Sequence, residues 1–246
     1  MAATRLNKAI AQSGVCSRRK ADELVFAGRV YVDGEKVTEP GRRVDPARSR
    51  IEVDGALLPS PAEEHAYLML HKPVRTVTTA KDPQGRTTVL DLLPEKWNGR
   101  RLVPVGRLDF FSEGLLLLTD DGELTNRMTH PRYHLPKVYQ LRVLGNVDKH
   151  GVQTIRQGMR LSDGTDLSPV EAEIVKRDRD ETELRLVLRQ GVNRQIRRMC
   201  DDLGWAVLRL RRVAQGPLEL GKLPPGEIRS LDGGEVAALK KSVGLG

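Results

Sequence analysis

The chain has 246 residues, of which 39% are hydrophobic, and a formal net charge of +8. This length and composition exclude disorder throughout, and the positive charge favours a polyanionic partner, most commonly nucleic acid. The start MAATRLNKAI has no apolar signal-peptide core, and the longest leucine run, Leu115 to Leu118, is too short to span a bilayer. We therefore expect a soluble cytoplasmic protein that does not bind membranes.

The first predicted elements, between Thr4 and Val37, are two short helices followed by a hairpin. Apolar residues recur at helical spacing in both helices, and Ser17 and Gly28 are suitable start and stop residues for the second. An alternating strand pattern leads into Asp33-Gly34, which predicts a tight turn. The apolar stripes are Leu6, Ala9 and Ile10 in the first helix and Ala21, Leu24 and Val25 in the second.

Three basic residues, Arg18, Arg19 and Lys20, open the second helix, where free amides and the helix dipole favour phosphate. From these residues alone, a solvated basic face is an equally good interpretation. The segment RLNKAIAQSGVCSRRKADELVFAGRVYVDGEKV resembles the alpha-L RNA-binding domain of the S-four type, because helix, SRR, helix and GRV-x-V-x-G follow in order. This resemblance implies that the three residues bind structured RNA.

The segment from Pro59 to Glu64 is rich in proline and polar residues, which predicts a linker at 59–65 between a domain at 1–58 and a second at 66–246. Beyond it, strand and helix patterns mix without regular alternation, so we expect an α+β fold with a largely antiparallel sheet. The predicted strands are YLMLHKP, RRLVPVGRLD, KVYQLRVLG, AEIVK and TELRLVLRQG, and the predicted helices are GELTNRMTH, NRQIRRMCDDLG and a last one from Glu235 to Val243.

The stretch GRLDFFSEGLLLLTDDG, residues 106–122, places Asp109 two residues after Arg107. In isolation, a surface ion pair is the more common role for such an aspartate. If 103–109 runs as a strand, Arg107 and Asp109 lie on one side while Leu108 packs into the core. The leucines that follow predict a strand buried on both faces, and such a rigid element is a suitable support for a catalytic carboxylate.

This stretch resembles the signature of pseudouridine synthases of the RsuA/RluB family, GRLD-x-x-[ST]-x-GLLL-x-T-x-DG, which surrounds the essential aspartate. The resemblance implies that Asp109 is catalytic and that Arg107 binds RNA by reaching into the gap left by an extruded base. With the amino-terminal domain, it covers nearly the whole chain and implies a pseudouridine synthase domain at 66–246.

KVYQLRV resembles the family's K-x-Y-x-V segment, which implies that Tyr139 stacks on the target base and is catalytic, and that Lys137 contacts the RNA. From the residues alone, Tyr139 is more simply a half-buried strand aromatic. No redox step or energy input is needed to turn uridine into pseudouridine, so we expect no cofactor.

GVNRQIRRM resembles the family's G-x-N-R-Q-[IV]-R-R-M segment. This implies that Arg197 pairs with the catalytic aspartate, that Ile196 covers the other face of the base and that Arg194 contacts the RNA. Without the resemblance, the arginines are a solvated helix face. Residues 190–192 read Gln-Gly-Val where many members have Glu-Gly-Arg or Glu-Gly-Lys, which puts one phosphate contact in doubt.

Other candidate sites are weak. Cys16 and Cys200 form no C-x-x-C pair, so buried thiols are expected rather than a disulfide framework or zinc site. His130 and His134 have the spacing of helical metal ligands, but nearby prolines oppose that helix, and we expect no metal. GPLELGKL at Gly216 lacks the hydroxyl residue of a phosphate-binding loop.

The predicted function is isomerisation of a specific uridine in ribosomal RNA or a pre-ribosomal particle by a monomer. The overall length and the run LRRVAQGPLELGKLPPGEIRSL are more similar to the large-subunit branch of the family. Alternatives are a small-subunit target and a non-catalytic RNA-binding ribosome-assembly factor. A glycosidase is disfavoured because no second inward carboxylate is evident near Asp109.

Overall fold

The computed structural model describes residues 3–59, 64–133 and 135–245. The chain divides into two compact units, the first comprising Met1–His65 with Gly99–Arg101 and the second Ala66–Asn98 with Leu102–Gly246. Residues 60–63 of the predicted linker lie outside the described residues, so the boundaries at 58 and 65 stay predictions. Within the described ranges, each helix is too short or too polar to cross a membrane.

The first unit has two helices packed on short strands. Its elements are β1 (Thr4–Arg5), α1 (Leu6–Gln12), α2 (Arg18–Phe26), β2 (Val30–Val32), β3 (Glu35–Val37), β4 (Arg43–Val44), β5 (Ile51–Val53) and β6 (Ala56–Leu57). β1 pairs with β4, and the other strands form a sheet in the order β3-β2-β5-β6. The predicted apolar stripes of α1 and α2 lie in one core with this sheet. Ser17 caps α2 as predicted, because its side chain accepts a hydrogen bond from the Lys20 amide at 3.0 Å.

The second unit is built on one nine-stranded sheet. Its elements are β7 (Tyr67–Lys72), β8 (Val103–Pro104), β9 (Glu113–Thr119), α3 (Gly122–Thr129), β10 (Lys137–Leu144), α4 (Lys149–Gln157), β11 (Glu171–Arg177), β12 (Glu181–Leu188), α5 (Gln195–Asp202), β13 (Val207–Gln215), β14 (Leu218–Glu219), β15 (Ile228–Ser230) and α6 (Gly233–Ser242), with short 3-10 helices at Glu95–Trp97 and Pro131–Tyr133. The sheet order is β11-β12-β10-β13-β9-β7-β15, with β14 beside β13 and β8 beside β9. Only the β9–β13 pair is parallel among these described strands. The predicted α+β class is confirmed.

Strand β9 is buried on both faces, as the leucine run predicts. Leu115 and Leu117 pack with α3 and the end of the chain, while Leu116 and Leu118 pack with a second cluster that includes Leu108. Each face of the strand therefore belongs to a different hydrophobic cluster. The loop that precedes β9 is joined to the most deeply buried strand of the unit.

The predicted strand over 103–109 is wrong beyond Pro104, where β8 ends. Gly106 has a φ of +77°, a left-handed conformation that interrupts extended backbone. Leu108 is nevertheless buried, at 6% exposure. Arg107 and Asp109 therefore lie on a loop rather than on a strand.

Candidate active site

A cavity of about 260 Å³ opens in the second unit, lined by the loop before β9, the segment that leads into α5, and residues of β10 and β13. The predicted site residues that line it are Arg107, Asp109, Lys137, Tyr139, Arg194, Ile196 and Arg197. The structure thus brings together every site residue that we predicted in the second domain. Arg18, Arg19 and Lys20 belong to the first unit, where Lys20 forms an exposed ion pair with Glu23 at 2.8 Å.

Hydrogen bonds fix the loop that carries Asp109, because each of its five consecutive carbonyl oxygens from Leu108 to Ser112 has a donor outside the loop. The donors are Thr78 Oγ1 to Leu108 at 2.7 Å, Lys72 Nζ to Asp109 at 3.1 Å and to Ser112 at 2.8 Å, the Arg75 amide to Phe110 at 2.7 Å, and Arg197 Nη2 to Phe111 at 2.8 Å. The backbone that carries Asp109 is therefore held in place by the surrounding fold. This is the support that a reacting group needs.

Lys72 is the central donor of this network and was missed in the sequence. Its ammonium is fully buried and also donates to the Pro73 carbonyl at 3.0 Å. Burial lowers the pKa of Lys72 to about 8, although the charges of Asp109 and Glu113 act in the opposite direction. The available signal was a lysine at the end of the apolar strand YLMLHK, because a fully buried lysine is rare unless its charge is compensated.

Asp109 and Arg197 both line the cavity, but the ion pair predicted between them is not formed. The half-buried Asp109 carboxylate makes no hydrogen bond or ion pair with any residue that the structure describes. Arg197 instead donates to the Phe111 carbonyl. Burial and the charge of Arg194 lower the pKa of Arg197, whereas the charge of Asp109 raises it. Arg197 therefore supports the loop directly through its hydrogen bond to the Phe111 carbonyl.

Tyr139 and Ile196 provide the flat and apolar surface of the cavity. Tyr139 is half-buried on β10 and stands in register with Arg212 of β13. Ile196 is buried, at 4% exposure, in the first turn of α5. The structure thus presents an aromatic ring and a branched aliphatic side chain to the same space.

Polar atoms without partners are concentrated at this cavity. Among the described residues, nine buried side-chain nitrogen or oxygen atoms have no hydrogen-bond partner, and six of them belong to residues that line it. These are Ser112 Oγ, both amide atoms of Gln195, Arg197 Nε, Arg212 Nη2 and Gln215 Oε1. Buried polar groups are normally satisfied, so these atoms would be satisfied by water or by a polar ligand.

Two buried or half-buried cations, Arg212 and Lys137, line the same cavity. Arg212 is 2% exposed and donates through Nε to the Leu115 carbonyl at 2.7 Å, which leaves Nη2 facing no partner. It was missed because LRLRRV places Arg211 and Arg212 side by side, and the alternation does not show which of the two is buried. Burial and the charge of Arg212 lower the pKa of Lys137, which donates to the Leu135 carbonyl at 3.3 Å.

The remaining candidate residues that the structure describes do not line the cavity. Arg198 bonds to Asp163 and Thr165. Burial raises the pKa of the Cys200 thiol to about 12, whereas Cys16 is only half-buried, so the buried-thiol prediction is wrong for Cys16. His134 lies outside the described residues. Within them, no group of three or more His, Cys, Asp or Glu is placed to hold a metal ion.

Comparison with known proteins gives consistent matches along the chain. Residues 66–202 match the family model of RNA pseudouridylate synthase, and residues 4–47 match the S4 domain. An uncharacterized RNA pseudouridine synthase from Aquifex aeolicus (strain VF5) is 43% identical over 246 residues, covering 100% of this chain and 97% of its own length. Ribosomal large subunit pseudouridine synthase B from Bacillus subtilis (strain 168) is 39% identical, covering 96% and 95%. A crystal structure of a pseudouridylate synthase superposes with a TM-score of 0.69 and 29% identity, covering 96% of this chain and 99% of its own.

Proposed function

The chain belongs to the RNA pseudouridylate synthase family and is an RNA pseudouridine synthase; we propose that it converts one specific uridine of large-subunit ribosomal RNA to pseudouridine. The large-subunit target is supported by the Bacillus subtilis relative, whose name specifies that subunit. We propose in addition that the enzyme acts in the cytoplasm as a monomer, on ribosomal RNA or a pre-ribosomal particle.

The proposed reaction exchanges one bond of the base for another. The bond between ribose C1′ and uracil N1 breaks, the base turns, and C1′ bonds to C5, while C5 loses a proton and N1 gains one. An ionised carboxylate serves this reaction as a nucleophile or as the base that removes a proton from the sugar. We assign that carboxylate to Asp109. The observation that carries the assignment is a carboxylate without a partner, on a loop whose carbonyls from Leu108 to Ser112 are held, in one cavity with Tyr139 and Arg197.

The cavity matches the chemistry of an extruded uracil. Tyr139 would stack on one face, an interaction worth about 1–3 kcal/mol per base, and Ile196 would cover the other. The uracil edge carries one N–H donor and two carbonyl acceptors. The free amide of Gln195 offers an acceptor and a donor, and Arg212 Nη2 offers a further donor. We assign the reading of the uracil edge to these two side chains.

The cations at the cavity fit the anionic backbone of the RNA. Arg194 is exposed and Lys137 is half-buried, so each can approach a phosphate, and the exposed Arg107 can reach the gap left by the extruded base. Arg197 has a different proposed task. It holds the Phe111 carbonyl and thereby supports the loop that carries Asp109.

Replacing the carboxylate tests the assignment of Asp109. We expect Asp109→Asn to lower the single-turnover rate of isomerisation on large-subunit ribosomal RNA by about 10²-fold to 10⁴-fold or more, with RNA affinity unchanged. Asp120→Asn is the control, because Asp120 accepts the Ala66 amide at 3.0 Å through an oxygen that asparagine also provides. A variant Asp109→Asn that isomerises RNA at the wild-type rate would remove the proposed role.

The target is tested by mapping pseudouridine in ribosomal RNA from cells that lack the protein. We expect one large-subunit position to revert to uridine and to be restored by the wild-type chain but not by Asp109→Asn. Reversion in the small subunit instead would replace the proposed target. An unchanged pseudouridine map would contradict a ribosomal RNA target.

A further inference from the structure

Phe111 is an exposed aromatic residue beside the proposed catalytic aspartate. The chain has three phenylalanines in 246 residues, and two of them, Phe110 and Phe111, follow Asp109 directly. Phe111 is 58% exposed, although its neighbours Asp109 and Ser112 line the cavity. Phe111 itself does not line the cavity, so its ring lies on the surface, two residues along the chain from Asp109.

The backbone that carries this ring is held on both sides. Arg197 donates to the carbonyl of Phe111 at 2.8 Å, and the Arg75 amide donates to the carbonyl of Phe110 at 2.7 Å. Lys72 holds the carbonyls before and after this pair. A single exposed apolar residue is ordinary on a mobile surface loop, but here the polar groups around it fix its position.

The ring of Phe111 is also supported by its neighbours. It packs edge to face against Phe110, with centroids 5.0 Å apart and planes at 80°. The guanidinium of Arg86 lies 5.7 Å from the centre of the Phe110 ring, and Arg86 is held by two hydrogen bonds to Asp82 at 2.8 and 3.0 Å. Both the backbone and the lateral support of Phe111 are therefore preorganised before any ligand binds.

Extrusion of a uridine from RNA leaves the adjacent bases without one stacking partner each. An aromatic ring that is already ordered can replace that partner at little entropic cost. The exposed cations Arg75 and Arg107 lie on this loop or are bonded to it, and they add positive charge next to the ring, which favours an anionic partner. The ring and the charges together fit an RNA nucleotide better than an apolar protein surface.

We propose that Phe111 is the stacking platform for the RNA base next to the extruded uridine, and that it thereby sets the affinity for the RNA around the target. This inference rests on the proposed function and extends it to a second nucleotide. Phe111 touches a base that does not react, so it contributes to substrate binding rather than to the chemistry.

Kinetics on large-subunit ribosomal RNA test this role. Phe111→Ala and Phe111→Leu are each expected to raise the half-saturating RNA concentration about 5-fold to 150-fold, which corresponds to the loss of one stacked base, with a maximal rate close to wild type. Phe111→Tyr is expected to restore the wild-type value, because it keeps the aromatic face. Leu144→Ala is the matched control, since Leu144 is 57% exposed in the same unit. A wild-type half-saturating concentration in Phe111→Ala, or equal values for Phe111→Leu and the wild type, would overturn the proposal.

A fluorescence measurement separates this inference from the proposed function. Single-stranded oligonucleotides are titrated into Phe111→Trp and Leu144→Trp. The oligonucleotides are taken from the mapped target, or from random segments of ribosomal RNA if no target is mapped. The signal of the native Trp97 and Trp205 is measured in a wild-type titration and subtracted from that of each variant. Binding is expected to quench the emission of Phe111→Trp but not that of Leu144→Trp. Quenching without isomerisation by the wild type would contradict the proposed function alone, and isomerisation without quenching would contradict the stacking role alone.

Discussion

Lys72 shows how one buried charge organises the loop of the candidate site. Its ammonium bonds three carbonyl oxygens, those of Pro73, Asp109 and Ser112, and it is fully removed from solvent. A buried ion is costly unless its hydrogen bonds are satisfied, and these carbonyls satisfy it. Among the described residues, Lys72 is the one donor that bonds the Ser112 carbonyl.

Replacing Lys72 with an apolar residue is therefore expected to disturb both stability and activity. We expect Lys72→Met to lower the free energy of unfolding by about 2–4 kcal/mol, because buried carbonyls lose their donor. Isomerisation should slow as well, because Asp109 loses its support. Denaturant titration and single-turnover kinetics measure the two effects. Lys81→Met is the control, since Lys81 is exposed and should change stability by no more than about 0.5 kcal/mol.

The same substitution has a pH dependence whose sign follows from burial. The pKa of Lys72 is about 8 in the folded protein and near 10.5 when unfolded. Between these values the unfolded chain binds more protons at this residue, so the contribution of Lys72 to stability increases as the pH rises from 8 towards 10.5. The stability difference between wild type and Lys72→Met should therefore grow over that window. A difference that shrinks with rising pH would contradict the assigned pKa.

At the scale of single residues, the sequence predicted those site residues that belong to a family motif. Asp109, Tyr139 and Arg197 reach one cavity. The sequence could not show that Arg197 bonds the Phe111 carbonyl instead of pairing with Asp109, because every residue has a backbone carbonyl and its position carries no sequence signal. Gln195 stood inside the motif, but only its lack of partners in three dimensions gave it a proposed role.

At the scale of elements, the parallel contact between β9 and β13 depends on Gly114. In the register, Gly114 faces Arg212, and the φ of Gly114 is +113°. A Cβ atom there would overlap the Arg212 carbonyl oxygen and lie 2.6 Å from its amide nitrogen. The absence of a side chain thus allows the two strands to approach, which keeps Arg212 at the cavity.

Gly114→Ala is expected to destabilise the protein by about 3–5 kcal/mol, because overlap with backbone adds to the strain of the left-handed conformation. Gly145→Ala is the matched control, since Gly145 has a φ of +83° and open space around it, so only about 1–2 kcal/mol of strain is expected. Thermal or denaturant unfolding of both variants gives the comparison. Equal losses would show that the approach to Arg212 is not constrained.

The elements themselves followed from the sequence where periodicity was strong. The leucine run gave β9, and Ser17 gave the start of α2. The strand expected over 103–109 failed because alternation of apolar residues does not reveal a left-handed glycine, and Gly106 ends the extended backbone there. The nine-stranded order could not be read from pattern, since it depends on contacts between segments distant in the chain.

At the scale of the whole molecule, the positive charge of +8 is consistent with an RNA substrate. Arg18 and Arg19 are exposed at the start of α2 in the unit that matches the S4 domain, and neither side chain has a hydrogen-bonded or ionic partner among the described residues. They are therefore available to meet phosphates. The net charge alone could not show this, because it does not locate the basic residues.

Removing both charges is expected to weaken RNA binding mainly at low salt. For Arg18→Ala with Arg19→Ala, the slope of log affinity against log salt should fall by roughly 1 to 2, because two phosphate contacts release their counterions. The single-turnover rate at saturating RNA should not change. Lys149→Ala with Arg179→Ala removes the same charge from exposed positions of the second unit and serves as the control. An unchanged slope would return Arg18 and Arg19 to the solvated-face interpretation.

The parallel pairing of β9 with β13 also has a consequence for how the enzyme matures. The loop with Asp109 leads directly into β9, whereas Tyr139, Arg197 and Arg212 arise from later segments, on or next to β10, α5 and β13. Because β9 and β13 are far apart in the chain, the residues that line the cavity come together only when this long-range pair forms. We therefore expect partly folded molecules that lack the β9–β13 pair to be inactive towards RNA.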